Sequence, residues 1–321
     1  MIPTIRVTPS CFKPINYDYG TATTSLVADV LELWDQDWIA WVNILELLAY
    51  ASGLKPVVRL VANTASRQAL AEFCQRQHWP WRWSDFWLEP VFHTPLNDTF
   101  TRLVYSHPPA DCDQVLFVGH EAVTRRVEEL EGMADPMAAR ELAALYGYPE
   151  CCVAAYTEVQ SGKPWLEVFL RGSDPADRVR DWRGNKAAYL FPPHPTLLPE
   201  YFPCSVDCAP TARLARAYEA VLDEYGLREL ADIIRQSLMR PLLLFGDSLY
   251  RFDGLESRGD CYHVVGSTEQ HRIADPLEQR QPEIGRIGSI RVAHGDLTLR
   301  TTTGEWHETL VPGHTQLLRF G

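Results

Sequence analysis

Apolar residues recur at helical spacing over Ser25–Trp34 and again over Asp37–Ser52, where Ile39, Val42, Leu45, Leu48 and Ala49 share a face. Gly53 and Pro56 close the second run as a helix C-terminus closes. Val57–Ala62 then reads as a β-branched strand. Asn63-Thr64 can cap a helix over Ala65–Gln77, and Phe100–Tyr105 and Val115–Val118 read as further strands. Val115–Val118 is apolar at every position, as a strand buried on both faces is. Strand, helix, strand order predicts a small sheet with helices on it. Gly119-His120 follows a strand without a glycine-rich phosphate loop around it, which excludes a dinucleotide fold.

The period then turns helical. Glu121–Leu130 is one helix, and Asp135-Pro136 opens another that stops at Gly147. Pro149 opens a third, with Cys151 and Cys152 in its first turn. Pro210 starts a fourth after Cys208, with Leu214, Ala217, Tyr218, Val221 and Leu222 on one face and Gly226 beyond its end, and Leu227–Met239 is a fifth. The last part of the chain alternates as strands do, at 241–245, 261–265, 289–292, 297–302 and 306–311, with turn residues between. The expected fold is therefore mixed α+β. An α/β domain is expected over 1–133, a helical cysteine-bearing domain over 134–240 and an antiparallel β domain over 241–321.

Composition narrows the classes. The formal charge of −12 over 321 residues argues against nucleic acid and anionic membrane as partners, although Arg171, Arg178, Arg180, Arg183 and Lys186 form a local basic cluster in sequence. No apolar run is long enough to span a bilayer, and Met1–Arg6 lacks the basic and apolar segments of a signal peptide. A cytoplasmic location is expected. There, eight cysteines suit metal binding or catalysis better than disulfides.

The cysteines carry the chemistry. Gly147-Tyr148-Pro149-Glu150-Cys151-Cys152 is answered by Tyr201-Phe202-Pro203-Cys204-Ser205-Val206-Asp207-Cys208. Both blocks stand at helix N-termini, whose free N–H groups favour anions, and in both a proline fixes the backbone near the first thiol. Convergence of Cys151, Cys152, Cys204 and Cys208 would make a site for a soft metal. A [4Fe–4S] cluster is favoured, because adjacent thiols reach separate corners of a cuboid more easily than one small ion. Structural zinc is the second reading. A metal-free thiol enzyme is the third, in which Cys151 or Cys152 attacks and Cys204 or Cys208 resolves. The implied partners are a small-molecule or peptide substrate, or a redox protein. The plainest alternative is four buried, inert cysteines.

Three further features are weaker. His194, in Phe191-Pro192-Pro193-His194-Pro195, is a candidate ligand or proton donor. The tryptophans of His78–Trp87 line a cleft, anchor a partner or pack a long loop on the sheet, the last being favoured. Cys261 and His263 share one face of a strand and can pair on a metal or simply pack.

Residues 141–153 together with 203–208 resemble an uncharacterised domain family of archaea and bacteria that pairs an LGYPxCC block with a later PCSxxC block. The resemblance spans roughly residues 115–225. Tyr146 stands where the first block has leucine. The family carries a histidine near its second block, where this chain has Glu200-Tyr201. The resemblance implies paired cysteine motifs and no particular activity.

Overall fold

A computed structural model describes residues 25–35, 41–93, 98–104, 112–133, 135–160, 168–170, 179–187, 198, 201, 203–245, 248–258, 261–272, 287–293, 296–309 and 315–320. The fold is mixed α+β, with two sheets. Among the described residues the longer helices are α1 (Ser25–Asp35), α2 (Trp41–Ala51), α3 (Ser66–Arg76), α4 (Glu121–Glu131), α5 (Pro136–Leu145), α6 (Glu150–Gln160), α7 (Ala209–Glu224) and α8 (Arg228–Leu238). The expected helices all lie at these places, and the N-terminal part of the second expected run falls outside the described residues.

The first sheet contains β1 (Val57–Ala62), β2 (Trp81–His93), β3 (Asp98–Val104) and β4 (Asp113–Gly119) in the order β1-β4-β2-β3, antiparallel throughout. All seven residues of β4 are buried, which is why its sequence lacks alternation. Val115 and Phe117 pack with Val127 and Leu130 of α4 and with Ala138 and Leu142 of α5. Leu116 and Val118, which alternate with them, are equally buried.

The tryptophan-rich stretch is not a loop but the start of β2. The register of β2 on β4 breaks between Trp83 and Trp87. Ser84 fills the break: its hydroxyl donates to the Phe86 carbonyl at 2.6 Å and accepts from the Val115 N–H at 3.2 Å. The Gln114 amide donates to the Ser84 carbonyl at 2.7 Å. A bulge that leaves its backbone groups bonded in this way re-aims side chains at little cost. Phe86 goes to the core, and Trp83 and Trp87 stack on the Arg67 guanidinium at 5.3 and 4.7 Å.

The second sheet has the order β11-β10-β9-β8-β7-β6-β12-β5. Its strands are β5 (Val179–Arg180), β6 (Leu242–Phe245), β7 (Ser248–Arg258), β8 (Cys261–Arg272), β9 (Ile287–Ala293), β10 (Asp296–Thr301), β11 (Gly304–Thr309) and β12 (Thr315–Phe320). From β6 to β11 neighbours in sequence pair antiparallel, and β12 returns to β6. β5 adds a parallel edge to β12. One face is apolar, with Leu243, Phe252, Ile290, Leu297, Leu299 and Leu317 at its centre. The expected antiparallel C-terminal sheet is present, enlarged by β7 and β12.

The basic cluster read from the sequence does not form a basic surface in its described part. Arg180 and Lys186 are buried, and the Arg183 guanidinium lies 4.6 Å from the Trp182 ring beside Asp181. Sequence proximity placed these residues together, but β5 buries Arg180 and the turn after Asn185 buries Lys186. Among the described residues no helix is long and apolar enough to cross a membrane.

Asp135 caps α5 by accepting from the Ala138 N–H at 3.1 Å, with Pro136 at the first turn. Replacing Asp135 by Ala is expected to lower stability by about 1 kcal/mol, read as a shifted urea midpoint with an unchanged slope.

Candidate metal centre

The first motif begins with a helix stop. Gly147 has φ +76°, and the Tyr148 and Gly147 N–H groups donate to the Ala143 and Ala144 carbonyls at 2.9 and 3.0 Å. This paired capping of α5 requires the left-handed region at residue 147, which glycine enters without strain. The chain then turns straight into α6: the Pro149 carbonyl accepts from Cys152 and Val153 at 2.9 and 3.1 Å. Cys151 and Cys152 therefore occupy its first turn, as expected. Their sulfurs are 3.8 Å apart, with Cys151 exposed and Cys152 buried.

The residues before this turn are held by buried polar groups. Lys55 is buried, pairs with Glu46 and lies 5.5 Å from the centre of the Tyr148 ring. The other Glu46 oxygen accepts from the Tyr218 hydroxyl of α7 at 2.6 Å. Tyr146 donates to Glu131 at 2.6 Å, and Arg59 pairs with the same carboxylate at 2.7 Å. Burial, and then the neighbouring carboxylate, push the Tyr146 hydroxyl well above the ordinary phenol range, so it stays a donor.

In the second motif the Cys208 N–H donates to the Ser205 carbonyl at 3.3 Å, closing a turn over Val206 and Asp207. The Cys208 carbonyl accepts from Ala212 at 3.0 Å, so Cys208 itself caps α7. The Tyr201 hydroxyl reaches Thr211 at 2.9 Å, joining the approach to the motif with the first turn of the helix.

A polar segment that sequence reading passed over supports this turn. β5 leads into a 3-10 turn, Trp182–Gly184, and a Cβ on Gly184 would stand 1.9 Å from the Val206 carbonyl oxygen. No side chain fits there. The buried Arg180 guanidinium lies 3.7 Å from the Asp207 carboxylate, inside the motif, and Asn185 donates to the Leu238 carbonyl at 2.6 Å. The signal available in the sequence was a glycine and an asparagine among charged residues that do not continue any amphipathic pattern.

The four motif sulfurs come together: Cys151, Cys152, Cys204 and Cys208 offer ligand atoms that all lie within 4.8 Å of one another. Two of the four are buried, Cys204 is half-buried and Cys151 is exposed. Such a donor set can hold a metal ion. The remaining described cysteines stand elsewhere. Cys74 and Cys112 are buried, and burial pushes the Cys74 thiol up to about 12. Cys261 lies at the start of β8. His194 lies outside the described residues. Comparison with family models, with curated proteins and with solved structures finds no match for this chain.

Gly184→Ala is expected to displace the Val206 carbonyl and the 204–208 turn. Its metal content after purification should fall well below that of the wild type while the helical circular dichroism is retained. Full retention of metal would show that the turn tolerates the shift.

Proposed function

We propose that the protein binds one tetrahedral zinc ion through Cys151, Cys152, Cys204 and Cys208, and that this centre fastens the two cysteine motifs to each other. The observation that carries the reading is the sulfur spacing. Four sulfurs about 2.3 Å from one ion, at tetrahedral angles, are about 3.8 Å apart. The Cys151–Cys152 separation is 3.8 Å, and the whole set stays within 4.8 Å. Adjacent thiols thus suit a single ion better than their sequence spacing suggested, because the first helical turn fans them along one tetrahedral edge. Four thiolates leave no open position for substrate, which supports a structural centre.

A [4Fe–4S] cluster draws on the same thiols and would bring a redox partner protein with it. Its ligating sulfurs attach to separate iron corners and stand farther apart than ligands on one ion, so the compact spacing favours zinc. A thiol enzyme acting on a small molecule or peptide requires an accessible nucleophile, for which Cys151 is the exposed member.

Metal, iron and sulfide analysis of anaerobically purified protein separates these readings. The zinc centre predicts colourless protein with about one zinc per chain. Cys204→Ala and Cys208→Ala should lose the zinc, and Cys261→Ser should keep it. Acidification should release it as the thiolates protonate. Broad visible absorption with stoichiometric iron and sulfide would overturn zinc in favour of the cluster. Metal-free protein with one rapidly alkylated motif cysteine would overturn both.

A further inference from the structure

The outer face of the second sheet carries a second thiol site. Tyr262 and Val264 of β8 pack against the apolar core, so Cys261 and His263, which alternate with them, face the other way. Both are partly exposed. The Cys261 sulfur is 3.6 Å from His263 Nε2 and 3.4 Å from the Arg258 carbonyl oxygen. Directly opposed residues of antiparallel strands share a face, and the registers here are specific. Cys261 stands between Arg258 on β7 and Arg291 on β9, and His263 between Glu256 and Ser289. The face thus holds a thiol flanked by two guanidinium-bearing residues, with an imidazole next to it. Arg258 also pairs with Glu256 at 2.8 Å. Arg258 and Arg291 are the residues directly opposite Cys261, while Glu256 and Asp296 stand farther along the same face.

We propose that Cys261 is a thiol–disulfide exchange site for anionic, carboxylate-bearing small disulfides. The Cys261 thiol gives its proton to His263 Nε2 and its sulfur attacks one sulfur of the disulfide. The S–S bond of the reagent breaks, a mixed disulfide forms on Cys261, and the departing thiolate takes the proton from the imidazolium. One thiol and one disulfide enter, and one thiol and one disulfide leave, so no further oxidant is needed. The arginines recognise the carboxylates of the reagent, which a guanidinium does with paired N–H donors. The site is independent of the zinc centre and uses none of its ligands.

The test uses the full metal-loaded chain with two probes, glutathione disulfide as the anionic one and cystamine as the cationic one, followed by intact mass and peptide mapping. A single adduct on Cys261 is expected, forming roughly tenfold faster with glutathione disulfide at low salt. Cys261→Ser should remove the adduct. His263→Asn should slow both probes. Arg258→Gln with Arg291→Gln should erase the preference for the anionic probe and leave the His263 dependence. All four positions lie on the outer, polar face, so the variants spare the core. Equal or faster reaction with cystamine, an adduct mapped only to another cysteine, or a His263→Asn rate equal to wild type would each overturn the proposal.

Discussion

Four thiols within 4.8 Å of one another make the most demanding constraint in this molecule. As thiolates they repel at close range in a partly buried place, and as thiols they are weak hydrogen-bond partners. The backbone brings them together nonetheless, through two unlike devices. In one, the capping glycine Gly147 and a proline turn one helix directly into the next, so that adjacent cysteines fall in a first turn. In the other, a tight turn ends on a cysteine that is itself the cap of a helix. Each device sets at least one cysteine at a helix start, where the positive end of the helix dipole favours a thiolate.

Buried charge surrounds these devices in compensated form. Lys55 has Glu46, Arg59 has Glu131, and Arg180 faces Asp207. Such pairs add little net stability compared with apolar packing, yet losing one partner leaves a costly buried charge. They therefore specify geometry. Glu46 also receives the Tyr218 hydroxyl, and Lys55 lies against the Tyr148 ring just ahead of the first cysteine pair. Polar groups at these positions fix where Tyr148 and α7 stand, a task that interchangeable aliphatic side chains perform less uniquely.

Helices and the cysteine motifs were legible because their signals are local. Asp135, Pro136, Gly147 and Gly226 punctuate the helices one residue at a time, and the prolines beside the cysteines placed the thiols at helix starts. β4 was legible because its central Val115–Val118 is apolar at every position. β2 was not: its bulge at Ser84 breaks the two-residue period, and its tryptophans satisfy a strand and a loop equally. β7 was missed because Asp253 and Gly254 interrupt its alternation beside a register shift, and β12 because its partners, β6 and β5, are far away in sequence. The support under the second motif was illegible for the same reason. Gly184 matters through its distance to Val206, which no local pattern encodes. The 3.8 Å separation of the Cys151 and Cys152 sulfurs, set by the first turn of α6, is likewise a distance that sequence spacing does not encode.

The parallel pairing of β5 with β12 has a temporal side. β5 precedes the turn that carries Gly184, and its sheet partner, through Arg319 and Phe320, is the last strand described. During synthesis the second cysteine motif emerges long before β12 does. Until that strand docks, the segment beneath Val206 lacks its anchor in the sheet, and the 204–208 turn has no fixed floor. Its final shape therefore belongs to the completed sheet, and Cys204 and Cys208 leave the ribosome before that support is in place.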